Sequence, residues 1–236
     1  MRPKITCHMI TSLDGRLRPD RWSGPAGASM MDLVHRVYDD TAGQFEADGW
    51  IVGRKTMADY LGEIPDPVLL DAPSVRAPHV GSRGGRNLAV AIDPSGRLRF
   101  EDDNVDGDHA VVILSQRVPD STLARLRERG VSYVFAGADG HDLADALEAV
   151  ADALSVRHLI LQGGAVINGS FLAAGLIDEV STLIAPAIDG LSGIPAIFEH
   201  DGGPDSRPAE GQHLRLISSQ TLEDGVIWLR HEVRRG

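Results

Sequence analysis

A chain of 236 residues with 42% hydrophobic side chains has apolar material for one large α/β domain or two small ones, and a single domain over 1–236 is the simpler expectation. Its 34 acidic against 23 basic side chains leave a net charge of −11, which speaks against a nucleic-acid binder, because such proteins turn a basic face to phosphate. No apolar run approaches the roughly 18 residues of a spanning helix, the start MRPKITCHMITSLDG lacks the layout of a signal peptide, and the expected compartment is the cytoplasm.

Short β-branched runs alternate with helical patterns, the layout of an α/β fold with a largely parallel sheet covered on both faces. Strands are predicted over 5–11, 49–52, 88–92, 110–114, 133–136, 158–161 and 180–185. The single cysteine, Cys7, falls in the first; it excludes an internal disulfide and a cysteine-cluster zinc site, and is read as a buried, inert thiol. A first helix should begin near Ser29 with Asp32 in the capping relation, its apolar face running Met30, Val34, Val37, Tyr38, Phe45. A second spans 121–129 and stops at Gly130; a third spans 142–154 with Leu143, Leu147, Val150 and Leu154 on one stripe. Residues 62–87, with Pro65, Pro67, Pro73, Pro78 and Gly62, Gly81, Gly84, Gly85, predict a surface excursion, and 201–212 a second loop. The chain closes with HLRLISSQ and VIWLRHEVR around Asp224-Gly225, a hairpin signal that makes the end of the sheet antiparallel.

No G-x-G-x-x-G follows a strand and no G-x-x-x-x-G-K-[ST] is present, so neither a Rossmann site nor a P-loop is indicated. Instead the second strand runs into Gly53-Arg54-Lys55-Thr56. A glycine there lets a ligand approach the backbone, and two cations and a hydroxyl suit phosphate; a solvated basic turn explains the same four residues. Later, LQGGAVINGSF puts Gly163-Gly164 between a buried strand and a short helix, a place where free N–H groups attract pyrophosphate; a tight turn without a ligand is the plainer alternative. The nine histidines are scattered with no H-E-x-x-H, so no metal is expected.

Taken in order, Ser12-Leu13-Asp14-Gly15, Trp22-Ser23, the His35-Arg36 helix, G-R-K-T, the Gly-Gly pair, Leu176-Ile177-Asp178-Glu179 and Ala185-Pro186 resemble the reductase domain of the riboflavin-pathway deaminase-reductases. The resemblance implies a dihydrofolate-reductase-like mixed sheet, NADPH as hydride donor and a homodimer. It implies that Gly53, Arg54 and Thr56, with Lys55 beside them, meet cofactor phosphate, and that Gly163, Gly164, Ala165, Val166 and Ile167 wrap the pyrophosphate and nicotinamide ribose. It places Ser115 and Arg117 at the adenosine ribose phosphate, where a guanidinium and a hydroxyl favour NADPH over NADH; an ordinary polar loop is the alternative. Ser12, Asp14, Trp22 and Asp59 become candidate substrate contacts, with Asp14 or Asp59, or a water on either, as proton source. Where the family carries glutamate before the glycine pair, this chain has Gln162, an amide that both donates and accepts. The family's A-D-D-P is here Ala58-Asp59-Tyr60-Leu61. The partner deaminase needs H-x-E with P-C-x-x-C, which a chain with one cysteine cannot supply.

The implied reaction passes hydride to the ribose C1′ of an imine formed from a 5-amino-6-(5-phosphoribosylamino)uracil-type substrate. Two other readings stay open: a reductase of dihydrofolate, a pterin or another small heterocycle, with Asp32, Asp39 and Asp40 as its helix-one acids, and a non-catalytic dinucleotide-binding protein.

Overall fold

The computed structural model describes residues 1–24, 29–71 and 75–236; Pro73 of the expected excursion lies outside them. In chain order the elements are β1 (Lys4–Thr11), α1 (Met30–Gly43), β2 (Gly49–Gly53), α2 (Arg54–Leu61), β3 (Leu88–Ile92), β4 (Asn104–Val105), β5 (Asp108–Leu114) and α3 (Asp120–Glu128). Then follow β6 (Ser132–Phe135), α4 (Leu143–Leu154), β7 (His158–Leu161), α5 (Ala165–Ala173), β8 (Glu179–Ile184), β9 (Gln212–Thr221) and β10 (Ile227–Arg235). The chain divides into two units, Met1–Lys4 with Asp48–Leu159 and Ile5–Ala47 with Ile160–Gly236. The fold is the expected mixed α/β one, mainly parallel, with an antiparallel C-terminal hairpin. Among the described residues no helix is long and apolar enough to cross a membrane.

In the first unit β2, β3, β5 and β6 pair side by side in parallel, and short β4 runs antiparallel to the start of β5. Residues LAVAI of β3 and AVVIL of β5 are buried throughout, as parallel strands covered on both faces must be. Met57 of α2, Leu123 and Leu126 of α3 and Tyr133 of β6 join their apolar core. The predicted stripe of α4 is buried in full, and the helix is capped by Asp142, whose carboxylate accepts the Asp145 N–H. α2 was not predicted as a helix. Only Met57 of its eight residues is buried, so the segment carries almost no apolar period, and Gly53 serves both as the last residue of β2 and as the N-cap.

The described residues of segment 62–87 form no helix or strand of their own, as the prolines among them predict, yet they are strapped down. Glu63 bridges Leu98, and His79 bridges Tyr133 on β6. Gly81 passes so close to Gly130 that a Cβ would stand 2.0 Å from the Gly130 carbonyl oxygen, and its N–H donates to Ser132 Oγ at 2.9 Å.

In the second unit β1 and β8 are parallel, and β10 pairs antiparallel with β8 on one side and β9 on the other. The hairpin turn holds Asp224 at φ 51° and Gly225 at φ 80°, the left-handed pair that Asp-Gly foretells. Ser29 caps α1 by accepting the Asp32 N–H as expected; the buried face is Met30, Leu33, Val34, Val37 and Thr41, with Phe45 beyond the helix end. Cys7 is buried, and burial pushes its thiol far above the ordinary range, which makes it inert.

Candidate active site

Each unit carries its share of the expected site residues at strand carboxyl ends. In the first unit, β2 passes through Gly53 into α2, and no side chain caps the helix, so its first-turn N–H groups are open to an anion. Lys55 is exposed and Thr56 half-buried. Arg54 does not stand free: it ion-pairs with Glu63, and its Nε lies 4.0 Å from Asp93 Oδ1. Asp93, at the end of β3, is fully buried and accepts the N–H groups of Gly96 at 3.2 Å and Leu98 at 2.8 Å. Burial raises its carboxyl above the ordinary range, against those N–H donors and Arg54. Ser115 is buried in a turn, where its Oγ accepts the Arg117 N–H at 3.3 Å. Arg117 donates from Nε to the Leu70 carbonyl at 2.9 Å and lies 3.6 Å from Asp139. Both side chains thus hold neighbouring backbone, as the polar-loop alternative expects. Asp59 is exposed on α2.

In the second unit, Ser12 and Asp14 follow β1. Ser12 Oγ donates to Asp14 Oδ1 at 2.6 Å, and the same carboxylate accepts the N–H groups of Asp189 at 3.0 Å and Gly190 at 2.9 Å. These donors, Ser12 first, hold the Asp14 carboxyl well below the usual carboxylate range. A carboxylate held so braces the 187–191 turn, the structural role that Asp14-Gly15 also allows. Arg21 pairs with Asp189 at 2.8 Å beyond it. Trp22 is 6% exposed, and its indole N–H has no hydrogen-bond partner among the described residues.

After β7, Gln162 is half-buried and Gly163 buried, with φ +98° and a cis peptide to Gly164. A Cβ on Gly163 would meet the Met9 methyl at 3.3 Å. Gly164 caps α5 with no side-chain bond, so this helix too begins with open N–H groups; Val166 is exposed, Ala165 and Ile167 half-buried. Asn168 escaped the sequence reading. It is fully buried, donates from Nδ2 to the Ile197 carbonyl at 2.9 Å, and its Oδ1 has no partner among the described residues. In each unit an uncapped helix start on glycine suits a phosphate, and in the second unit the Asn168 Oδ1, without a partner among the described residues, suits a donor that a ligand brings. Among the described residues no group of three or more His, Cys, Asp or Glu could hold a metal ion.

Strands ending in uncapped helix starts, with few groups suited to acid–base work, define a protein that binds a carrier of reactive chemistry rather than one that builds a nucleophile. Residues 3–228 match the model of the RibD C-terminal domain. The chain is 30% identical over 231 residues to the 2,5-diamino-6-ribosylamino-4(3H)-pyrimidinone 5′-phosphate reductase of Methanothermobacter thermautotrophicus, covering 96% of this chain and 97% of that one. A reductase of the same name from Aquifex aeolicus is 24% identical over 224 residues, covering 92% and 91%. Among solved structures, a pyrimidine reductase-like protein of Corynebacterium diphtheriae superposes with a TM-score of 0.65 at 21% identity, covering 99% of this chain and 93% of that chain. The protein belongs to the RibD C-terminal domain family. It is an oxidoreductase of the pyrimidine reductase kind, for which a reduced nicotinamide dinucleotide is the implied cofactor.

Proposed function

We propose that the protein reduces the ribosyl imine of a phosphoribosylaminopyrimidine in riboflavin biosynthesis, with NADPH as the donor. The observation that carries this reading is the likeness to the Methanothermobacter reductase along nearly the whole of both chains. The relatives' names favour the 2,5-diamino ring over the uracil ring as substrate. The two rings differ at C2, where one offers an amino donor and the other an oxo acceptor, and the Gln162 amide can meet either.

When bound, the dinucleotide supplies the hydride that goes to ribose C1′. The chain's own part is to hold two carbons in line and to manage one proton. Gly53, Arg54, Lys55 and Thr56 at the start of α2 are assigned to cofactor phosphate, and Gly163, Gly164, Ala165, Val166 and Ile167 at the start of α5 to the pyrophosphate and nicotinamide ribose. Ser12 and Trp22 are assigned to substrate, Trp22 through its unpartnered indole N–H. Asp14 positions the turn beside Ser12, which leaves Asp59, or a water it holds, as the proton source. The preference for NADPH over NADH rests on Arg54.

A homodimer accompanies this reading. β9, which pairs along one edge with β10, exposes Leu214, Leu216 and Ile217. Such an edge is a pairing surface.

The test is NADPH oxidation with the diamino and the uracil substrates side by side, with light scattering on the same sample. Turnover is expected with the diamino ring and a mass of two chains, and Asp59→Asn should lower kcat by about a hundredfold or more, the usual 10²–10⁴ range of general acid catalysis. NADPH binding without turnover on either ring sinks the reading in favour of a non-catalytic dinucleotide-binding protein.

A further inference from the structure

Arg54 has a companion that the sequence does not announce. Gly62 closes α2 at φ +72°, and the chain then pairs with the segment after β3: Ile64 N–H donates to the Arg97 carbonyl at 2.8 Å, and Arg99 N–H to the Gly62 carbonyl at 3.2 Å. This short antiparallel contact sets Glu63 opposite Leu98 and fixes its place next to Arg97. One carboxylate oxygen of Glu63 takes Arg54, and the other takes Arg97 Nη2 at 3.1 Å. Arg97 also lies 3.0 Å from Asp66 through Nε, and Arg54 lies 4.0 Å from Asp93. The side chains of Arg54, Arg97 and Glu63 keep only 23%, 28% and 29% of their exposure, so these are partly buried partners rather than loose surface charges.

We propose that Glu63 is a carboxylate latch: it holds Arg54 and Arg97 together as a two-guanidinium seat and yields them to the 2′-phosphate of the cofactor. The inference rests on the NADPH reading above and adds two residues to it. A carboxylate bridging two guanidiniums satisfies one donor of each with a single negative charge. A phosphate monoester brings about 1.5 to 2 negative charges and three acceptor oxygens, so it can take both guanidiniums and expel the carboxylate. The 2′-hydroxyl of NADH has no charge with which to displace Glu63 and no need to. The latch therefore lowers affinity for NADPH alone, while keeping the seat assembled between turnovers.

The experiment is equilibrium binding of NADPH and of NADH, followed by quenching of tryptophan fluorescence and repeated by calorimetry, for the wild type and for Glu63→Gln, Arg97→Gln and Arg54→Gln. Removing the latch charge should tighten NADPH about tenfold, the scale of two partly exposed ion pairs released together, and leave NADH unchanged. Arg97→Gln should weaken NADPH and spare NADH, a selectivity that a purely structural brace would not produce. A Glu63→Gln chain that binds NADPH no more tightly, or tightens both dinucleotides alike, overturns the latch. If Arg54→Gln still abolishes the NADPH preference in that case, the cofactor reading stands without it. A wild type that binds the two dinucleotides equally overturns both.

Discussion

His8 in the second unit and His109 in the first occupy equivalent settings with opposite wiring. Each is fully buried on a strand and faces a serine hydroxyl, Ser181 at 2.8 Å and Ser132 at 2.7 Å. Ser181 Oγ accepts the Trp228 indole N–H at 2.7 Å, so its own proton goes to His8 Nδ1, and the ring Nε2–H turns to Thr41 Oγ1 at 3.2 Å. Ser132 Oγ accepts the Gly81 N–H, so its proton goes to His109 Nε2, and the ring Nδ1–H donates to Asp103 at 3.0 Å, which Arg86 holds at 2.6 Å. The row Ser132, His109, Asp103 has the spacing of a nucleophile, base and orienting acid. Burial of both serine and imidazole under the 79–86 strap makes it a brace instead. Equal burial thus yields a histidine hydrogen-bonded to neutral groups in one unit and a carboxylate-backed one in the other.

The largest expected effect separates the two by acid. Burial pushes His8 down to about 4 from its ordinary 6.5, with Arg230 adding to the shift and the Tyr38 carbonyl and Glu179 opposing it. Between those values the unfolded chain binds a proton at His8 that the folded chain refuses. Stability from this group is therefore complete above about pH 6.5 and drains away as pH falls, by about 3 kcal/mol at pH 4. Urea unfolding of wild type and His8→Gln at pH 7, 5.5 and 4 measures it. His109 is lowered in the same sense, by burial against the pull of Asp103, and should supply what slope remains in the variant. An undiminished slope in His8→Gln would show that His8 is not the acid-labile group.

The next effect tests the other member of the pair. Asp103→Asn leaves Arg86 without its charge partner and weakens the acceptor of the His109 ring, so stability at pH 7 should drop by roughly 2 kcal/mol, the scale of one unmet charged hydrogen bond. Dinucleotide affinity and KM should not move. A change in either constant would give the strap over residues 79–86 a part in the reaction.

Much of this fold could be read without coordinates, and the reasons are local. β3 and β7 match prediction to the residue, because each is an unbroken apolar run between polar or glycine boundaries. α2 was missed because a single buried methionine leaves no periodicity to detect. The start of α5 was legible as a motif, since Gly163 and Gly164 stand next to one another in sequence. Glu63, Arg97 and Asn168 were not, because each acquires its part only from a neighbour that folding supplies: a pairing with residues 97–99, or a carbonyl 29 residues away. The setting of Asp14 was hidden for the same reason. Its three donors, Ser12, Asp189 and Gly190, include two from a turn about 175 residues downstream.

Trp22 gives the smallest effect and the sharpest contrast with the two histidines. Theirs are buried polar groups with every proton placed; the Trp22 indole N–H is just as buried and has no acceptor among the described residues. An unmet buried donor costs about 1–3 kcal/mol, and a protein that carries one without a ligand to meet it would be more stable with phenylalanine there. If substrate supplies the acceptor, Trp22→Phe removes a bond made only in the complex: KM for the pyrimidine should rise about tenfold, some 1.4 kcal/mol, while kcat stays near the wild-type value. A midpoint that rises while KM is unchanged would mean that the orphaned N–H is only a local cost, and Trp22 would join His8 and His109 as a residue of the core.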